Sequence, residues 1–338
     1  MGQDVTVLIT CHNEGAYVGE AAEAVLAQTA FARIAKIIIV NDGSTDGSHD
    51  VLRALAARSD KIELCFQAPA RGVSAARNLG LRRITTPWVA FCDGDDYWTA
   101  DKLETQLSAA ATHPDAALIY TNFIQFAGRP EDGAYIKART LHARGEALLK
   151  DYFLFDAPVM PSTVLLRMDA AVAIDFFDER IKLFEDTDFV MRLAGAGFVF
   201  AHVTQALLYK RVRAGSLSSR IENWEGAMLQ ETAASVARHP RLRPLAARRD
   251  SYRLAKIAEA HFMAGEDEGG WRALRAAHRR NRINPRVYAY GAIASIPRES
   301  RHAAKSAVRG ARRALTSRQA LALSACIFLA SCVPLKFI

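Results

Sequence analysis

The chain has 338 residues, half of them apolar, and a formal net charge of +8. It is long enough to bury a sizeable core, with room for a catalytic domain of about 200 residues and an accessory region. The charge is uneven, because residues 1–237 carry a net charge of −7 and residues 238–318 a net charge of +14. The basic region therefore predicts an anionic partner: a membrane surface, an acidic glycan or a nucleic acid.

The cysteines and the N-terminal residues argue against two kinds of protein, one with a cysteine-ligated metal site and one that is exported. The five cysteines form no C-x-x-C pair and no ligand cluster, which excludes a cysteine-ligated metal site and favours reduced thiols. The first residues, "MGQDVTVLIT", lack the basic and long apolar stretches of an export signal. We therefore expect a cytoplasmic protein.

Strands and helices alternate along the first hundred residues. Strands are predicted at "VTVLIT", "AKIIIV", "KIELCFQ" and "WVAFCD", and helices at "YVGEAAEAVLAQ", "HDVLRALAARS" and "GVSAARNLGLRRI". This order predicts a mostly parallel sheet flanked by helices, with a ligand crevice beyond the carboxyl ends of its strands. The polar segments "TCHNE", "NDGSTD" and "CDGDD" all follow strands, so we expect them to meet at one edge of the sheet.

The last of these segments places Asp93 and Asp95 one residue apart on a turn that leaves a strand. Two such carboxylates can point at one hard divalent cation, which phosphate oxygens can share. An isolated D-x-D is more often a solvated turn. Here other polar residues are expected at the same edge, namely Asn13, Glu14, Asp42 and Arg77.

Four stretches occur together in order: "VTVLITCHNEGAYVGEAAEAVLAQT", "IIIVNDGSTDGS", "GVSAARNLGL" and "WVAFCDGDDYW". In their order and spacing they resemble the inverting glycosyltransferases of family 2, which have the α/β GT-A (Rossmann-like) fold and use nucleotide-diphospho-sugars. The resemblance spans roughly residues 5 to 215. It continues through "FDERIKLFEDTDFVMRLAGAGF", similar to the family's acidic "ED" segment, and "LLYKRVRAGSLS", similar to its "Y-R-x-H-x-x-S" ending.

The resemblance implies a role for each matching residue. Asp95 would ligate Mn²⁺ or Mg²⁺, and Asp186 would deprotonate the acceptor. The implied donor-binding residues are Thr10, His12, Glu14, Asp42, Arg77, Asp93 and Arg213. Residues expected to assist are Asp96, Glu185 and Trp98.

Two positions depart from the family pattern. The usual "P-x-Y-N-E" is replaced by "T-C-H-N-E", so an aromatic stack on the base must come from His12 or be absent. The family's histidine near the end is replaced by Arg213, which keeps a positive charge able to meet a phosphate.

The reaction implied by the resemblance is single-displacement transfer of a sugar, with a UDP-sugar as the expected donor and a hydroxyl of a glycan or lipid-linked acceptor. A nucleotidyltransferase on a similar sheet is an alternative, although it would not need the "ED" base. A non-catalytic binder of sugar nucleotides or of nucleic acid is another. Nucleic acid is disfavoured, because no recognised motif accompanies the basic charge.

The remaining predictions concern domain organisation. We expect a catalytic domain at 1–218, a basic helical region at 219–318 and a hydrophobic tail at 319–338. As a helix, the uncharged run 319–335 would span about 26 Å, against about 30 Å of bilayer hydrocarbon. We therefore expect an interfacial helix at the cytoplasmic face of a membrane, with a buried core helix as the alternative. Acceptor specificity is expected within 125–165, and Asp188 with Arg192 as a surface ion pair.

Overall fold

The computed structural model describes residues 4–155, 158–213, 223–301 and 304. The chain divides into two compact units, Met1–Ser216 and Leu217–Ile338. The roles assigned to segments 1–218, 219–318 and 319–338 stay predictions. The hydrophobic tail at 319–338 lies outside the described residues.

The first unit is an α/β domain built on one sheet. Its strands are β1 (Val5–Cys11), β2 (Ile34–Asp42), β3 (Ile62–Gln67), β4 (Trp88–Asp93), β5 (Tyr97–Trp98), β6 (Ala116–Phe126), β7 (Ala134–Ile136), β8 (Leu165–Arg167) and β9 (Val199–Arg211). Its helices are α1 (Val18–Leu26), α2 (Ser48–Ala56), α3 (Val73–Leu81), α4 (Lys102–Thr112), α5 (Gly145–Phe155), α6 (Met168–Ala173) and α7 (Glu185–Gly195).

The strand order is β3-β2-β1-β4-β8-β6-β9-β5, and β7 pairs with β6. Strands β3, β2, β1 and β4 are parallel, as the sequence predicts. Beyond β4 the sheet is mixed, since β8 is antiparallel to both neighbours while β6 and β9 run parallel. The predicted α/β sheet with flanking helices is confirmed, and its antiparallel pairs all involve strands that follow the first three.

The central strands are covered on both faces, which explains why their sequences are continuous apolar runs. All seven residues of β1 are buried. Because β1 lies between β2 and β4, its register places Thr10 opposite Asp93 and Cys11 opposite Asn41. Three polar loops therefore leave the sheet at the same level.

The second unit is helical, as predicted. Its helices are α8 (Trp224–Arg238), α9 (Arg243–Ala264), α10 (Asp267–Arg280) and α11 (Pro285–Ala294). Buried in it are Arg249 and Arg253, whose guanidinium groups lie 2.5 and 2.6 Å from the same Glu231 oxygen. No helix within the described ranges is both long enough and apolar enough to cross a bilayer.

Candidate active site

The loops after β1, β2 and β4 contact one another directly. The backbone amide of Gly94 donates to the Thr10 carbonyl at 2.9 Å, which joins the β4 loop to the β1 loop. His12 Nδ1 donates to the Asp42 carbonyl at 2.5 Å, and the Thr45 amide donates to Asn13 Oδ1 at 2.7 Å. The predicted meeting of the three polar segments at one sheet edge is therefore present.

Asp42 is buried and its carboxylate is already engaged by the β3–α3 loop. Oδ1 accepts from Gln67 Nε2 at 2.6 Å and from the Arg71 amide at 2.7 Å. Oδ2 accepts from the Gly72 amide at 2.8 Å. The Asp42 side chain thus fixes the loop that leads into α3, and this role does not depend on a nucleotide.

An acidic centre forms where Glu14 and Asp95 share one arginine. Arg213 donates from Nε to Asp95 Oδ2 at 2.7 Å and from Nη2 to Glu14 Oε1 at 2.6 Å. Burial, followed by repulsion from Asp95, raises the pKa of Glu14 to about 8 despite the arginine. With its pKa raised to about 8, Glu14 keeps its proton near neutral pH, and a cation bound here would favour its ionised form.

Gly94, the central residue of the D-x-D segment, lies directly under Glu14. A Cβ added there would lie 2.9 Å from the Thr10 carbonyl oxygen and would also collide with the Glu14 carboxylate. The acidic centre can be this compact because position 94 has no side chain. Sequence reasoning missed this residue, although a glycine between two acids on a turn was the available signal.

Arg77 joins the β4 loop to the start of α7. Its guanidinium, with 4% of the side chain exposed, lies 2.8 Å from Asp93 and 2.9 Å from Glu185. Although burial opposes ionisation, Arg77 holds the pKa of Asp93 below its usual value. Arg77 is therefore committed to two carboxylates at the base of the site.

Asp96 is buried behind the turn, with 1% of its side chain exposed. Its Oδ1 accepts from the Arg211 amide at 3.1 Å, and its Oδ2, which has no hydrogen-bond partner among the residues that the structure describes, lies 4.0 Å from Lys210 Nζ. Burial raises the pKa of Asp96 to about 7, together with repulsion from Asp93 and Asp95. Asp96 thus holds β9 to the acidic turn.

Ser162 is a second residue that the sequence did not reveal. It lies in the turn before β8, is fully buried, and its Oγ accepts the Asp93 backbone amide at 3.0 Å. Its position fixes the point at which β4 becomes the acidic turn. The segment 125–165 carried no local pattern that could have indicated this contact.

Asp186 differs from its neighbour Glu185 in its surroundings. Glu185 is paired with Arg77, whereas Asp186 makes no ion pair among the described residues and accepts only from Thr187. Burial, followed by repulsion from Glu185, raises the pKa of Asp186 to about 7. Asp186 is therefore the carboxylate of the pair that is available to take a proton near neutral pH.

Two expectations from the sequence need correction or restriction. The Asp188–Arg192 pair is present at 2.8 Å, but Asp188 is 1% exposed, so the expected surface pair is in fact buried. Trp98 is 3% exposed and packs in the core with Lys102 Nζ 4.0 Å from its ring centroid. The assisting role of Trp98 stays a prediction.

The oxygen atoms of the acidic centre are suitable ligands for the divalent cation that the resemblance implies. Carboxylate oxygens are the ligands that Mg²⁺ and Mn²⁺ prefer, and Glu14 and Asp95 bring such oxygens together around one arginine. Within the ranges that the structure describes, no group of three or more His, Cys, Asp or Glu side chains is arranged to hold a metal ion. Asp95 would therefore supply part of the ligand set, with the rest from substrate phosphates and water.

Comparison with known proteins finds a family model and relatives by sequence, and separately solved structures that share the fold. The model for "Glycosyl transferase family 2" matches residues 6–171. TuaG of Bacillus subtilis, a glycosyltransferase named for teichuronic acid biosynthesis, is 28% identical over 223 residues, which are 66% of this chain and 84% of that protein.

Two solved structures share the fold. TarS residues 1–349 from S. aureus, in complex with UDP-GlcNAc, has a TM-score of 0.58 and 17% identity, over 90% of this chain and 87% of that one. The mannosyltransferase PcManGT from Pyrobaculum calidifontis, in complex with GDP-Man and Mn²⁺, has a TM-score of 0.57 and 18% identity, over 98% of this chain and 86% of that one.

Proposed function

This chain belongs to glycosyltransferase family 2 through residues 6–171, and from that premise we propose inverting sugar transfer from a nucleotide-diphospho-sugar to a hydroxyl group. A UDP-sugar is the proposed donor, and a glycan or lipid-linked molecule the proposed acceptor. Membership of the family makes the chain a glycosyltransferase and decides against the nucleotidyltransferase alternative.

The state of Asp186 is the single observation that carries the mechanism. A hydroxyl is a poor nucleophile until a base takes its proton, and a base works best when its pKa lies near the working pH. Asp186 has a pKa raised to about 7, and no ion pair among the described residues holds its carboxylate. In the proposed step Asp186 takes the acceptor proton while the acceptor oxygen bonds to the anomeric carbon from the face opposite the diphosphate. The bond from that carbon to the diphosphate oxygen breaks, and the nucleotide diphosphate leaves. The anomeric centre inverts, and no covalent enzyme intermediate forms.

The second requirement of the proposed reaction is stabilisation of the negative charge on the departing nucleotide diphosphate. A Mn²⁺ or Mg²⁺ ion held by Asp95 would supply electrostatic stabilisation of the leaving phosphates. Arg213 lies beside Asp95 and Glu14, so its guanidinium can turn towards phosphate oxygens in their place. Arg77, fixed between two carboxylates, would orient Asp93 towards the ribose or the sugar.

The identity of the donor is open to a direct measurement. The solved relatives bind different nucleotides, UDP-GlcNAc in TarS and GDP-Man in PcManGT. A panel of UDP- and GDP-sugars would be screened for hydrolysis with Mn²⁺, with Mg²⁺ and with chelator. We expect cation-dependent turnover of a UDP-sugar. Turnover of GDP-sugars alone would contradict the proposed uridine nucleotide of the donor. Turnover that a chelator does not affect would contradict the proposed role of a metal ion.

Asp186→Asn tests the proposed base. The amide keeps the shape of the side chain but cannot accept the proton, so transfer should fall by about 10²- to 10⁴-fold. Donor affinity, measured by calorimetry, should be retained. Glu185→Gln is the matched control, since it loses a partner of Arg77 and should weaken the site without removing the base. A well-folded Asp186→Asn enzyme that transfers at near the wild-type rate would remove Asp186 from the mechanism.

A further inference from the structure

The turn between α10 and α11 presents an isoleucine to solvent. Ile283 is 85% exposed, more than any other large hydrophobic side chain described as exposed in this chain. Single exposed apolar residues are common and need no explanation by themselves. This one follows directly after Arg282, which is also exposed, and is three residues from the end of α10 at Arg280.

The turn is held rigidly, so the exposure of Ile283 is fixed by the fold. Asn284 is fully buried and caps α11 by accepting the Arg286 amide at 3.0 Å. Its Nδ2 donates to Ser251 Oγ on α9 at 2.9 Å, and that hydroxyl donates to the Ala277 carbonyl on α10 at 2.7 Å. Three helices therefore fix the residue that follows Ile283.

The chain segment that contains Ile283 carries charge of one sign. From Gly269 to Arg298 the sequence contains seven arginines and no acidic residue. Arg280 is near Asp250 at 3.7 Å, whereas Arg279 and Arg282 are exposed and make no ion pair within the part of the chain that the structure describes. Two arginines beside the isoleucine are therefore available to external anions.

We propose that residues 279–283, here called the Ile283 tip, dock the protein on an anionic lipid bilayer. Ile283 enters the boundary between headgroups and acyl chains, and Arg279 and Arg282 meet lipid phosphates. An anionic glycan or a nucleic acid would satisfy the arginines but would give the isoleucine no apolar environment. A lipid surface satisfies both. Docking is independent of the proposed sugar transfer, because it requires no donor, acceptor or metal.

Vesicle binding of the full-length chain, measured without donor, tests the proposal. Vesicles would contain phosphatidylcholine alone or with about one third phosphatidylglycerol. Arg279→Gln/Arg282→Gln should lower partitioning onto the anionic vesicles by about fivefold per arginine, and Ile283→Ser should lower it several-fold. The control Arg241→Gln/Arg243→Gln makes the same charge change at two exposed positions at the start of α9 and just before it, and should have an effect within about twofold.

Insertion of the tip can be observed separately. The tryptophan emission that Ile283→Trp adds to the wild-type spectrum should shift to the blue when anionic vesicles are added, because the new indole leaves water. If the tip pair and the control pair of arginine substitutions lower vesicle binding equally, the binding depends only on overall positive charge, and the proposal is overturned. Unchanged binding of Ile283→Ser, or no shift for Ile283→Trp, would also overturn it. Loss of RNA or heparin binding in the tip variants, with vesicle binding retained, would assign the surface to a polyanion instead.

Discussion

The carboxylates in the site differ mainly in whether an arginine side chain is paired with them. Arg77 compensates Asp93 and Glu185, and Arg213 bridges Glu14 and Asp95. Asp186 has no such partner among the described residues, and its pKa is raised to about 7. This difference is the reason that the proposed mechanism gives the base role to Asp186 and not to the paired carboxylates.

The pH profile of transfer follows from this difference. A general base must be deprotonated to act, so kcat/KM should rise with pH and level off above about 7, where Asp186 loses its proton. The profile would be measured between about pH 5 and 9 with a saturating cation. Asp186→Asn should lose this rising limb together with its rate. A limb that persists unchanged in Asp186→Asn would assign the titration to another group.

Ser162→Ala tests the turn that supports Asp93. Removing the hydroxyl leaves the Asp93 amide without its acceptor, which costs about 1–3 kcal/mol of stability and should lower transfer as the acidic turn shifts. Thr163→Val is the matched control, since Thr163 is equally buried but its hydroxyl donates to the Met160 carbonyl. Denaturant unfolding and initial rates would be compared. Equal effects of the two substitutions would mean that the turn needs any hydroxyl, with no special role for Ser162.

At the scale of elements, helix α4 contains an unusual buried cation. Lys102 begins the helix, is fully buried, and donates to Gln106 Oε1 at 2.8 Å. Gln106 Nε2 in turn donates to the Ile119 and Thr163 carbonyls at 2.9 and 3.0 Å. Burial lowers the pKa of Lys102 from 10.5 to about 7. The lysine therefore links α4 to β6 and to the turn that contains Ser162.

This lysine should make stability depend on pH in the alkaline range. Above about pH 7 the folded protein has lost the Lys102 proton, whereas the unfolded chain keeps it to about 10.5. The folded state binds fewer protons in that window, so this group's contribution to stability increases as pH rises. Relative to Lys102→Met, the wild type should gain up to about 1.4 kcal/mol per pH unit there. Parallel unfolding free energies for the two proteins between pH 7 and 10 would contradict the lowered pKa.

Elements with strong local signals are the ones that sequence could predict. Strands β1, β2 and β4 are largely apolar runs that end in polar turns, and they locate the polar loops of the site. Strand β8 is three residues long and pairs with β4 and β6 far away in the chain, so no periodic pattern indicates it. The contact of Ser162 depends on that pairing. Spacing likewise gives the Asp188–Arg192 pair but not its burial, which depends on tertiary packing.

At the scale of the whole molecule, each unit has its own buried polar centre. The helical unit buries Glu231 against two arginines, with 3% or less of each side chain exposed. Charges removed from water to this extent are stable only while they compensate one another. The stability of this unit therefore depends on an ion cluster as well as on apolar packing.

Glu231→Gln tests that dependence. Removing the carboxylate leaves two buried guanidinium groups without this negative partner, which should destabilise the helical unit by about 3–5 kcal/mol. Glu268→Gln, an exposed change on α10, should have little effect. Denaturant unfolding followed by tryptophan fluorescence would measure the loss, and nucleotide binding would monitor the first unit. Coincident loss of nucleotide binding at the same denaturant concentration would mean that the two units unfold as one.

The bridge from Arg213 to Glu14 spans 199 positions of the chain, and this has a consequence during biosynthesis. A ribosome that adds about 5–20 residues per second has already released β1 and its acidic loop long before Arg213 leaves the exit tunnel. Through that interval Glu14 and Asp95 have no arginine between them, and the nascent domain has an unbalanced negative edge. The acidic centre is thus completed by almost the last residue of its own unit. A truncated or stalled chain that ends before β9 would leave an α/β fragment whose acidic centre lacks Arg213.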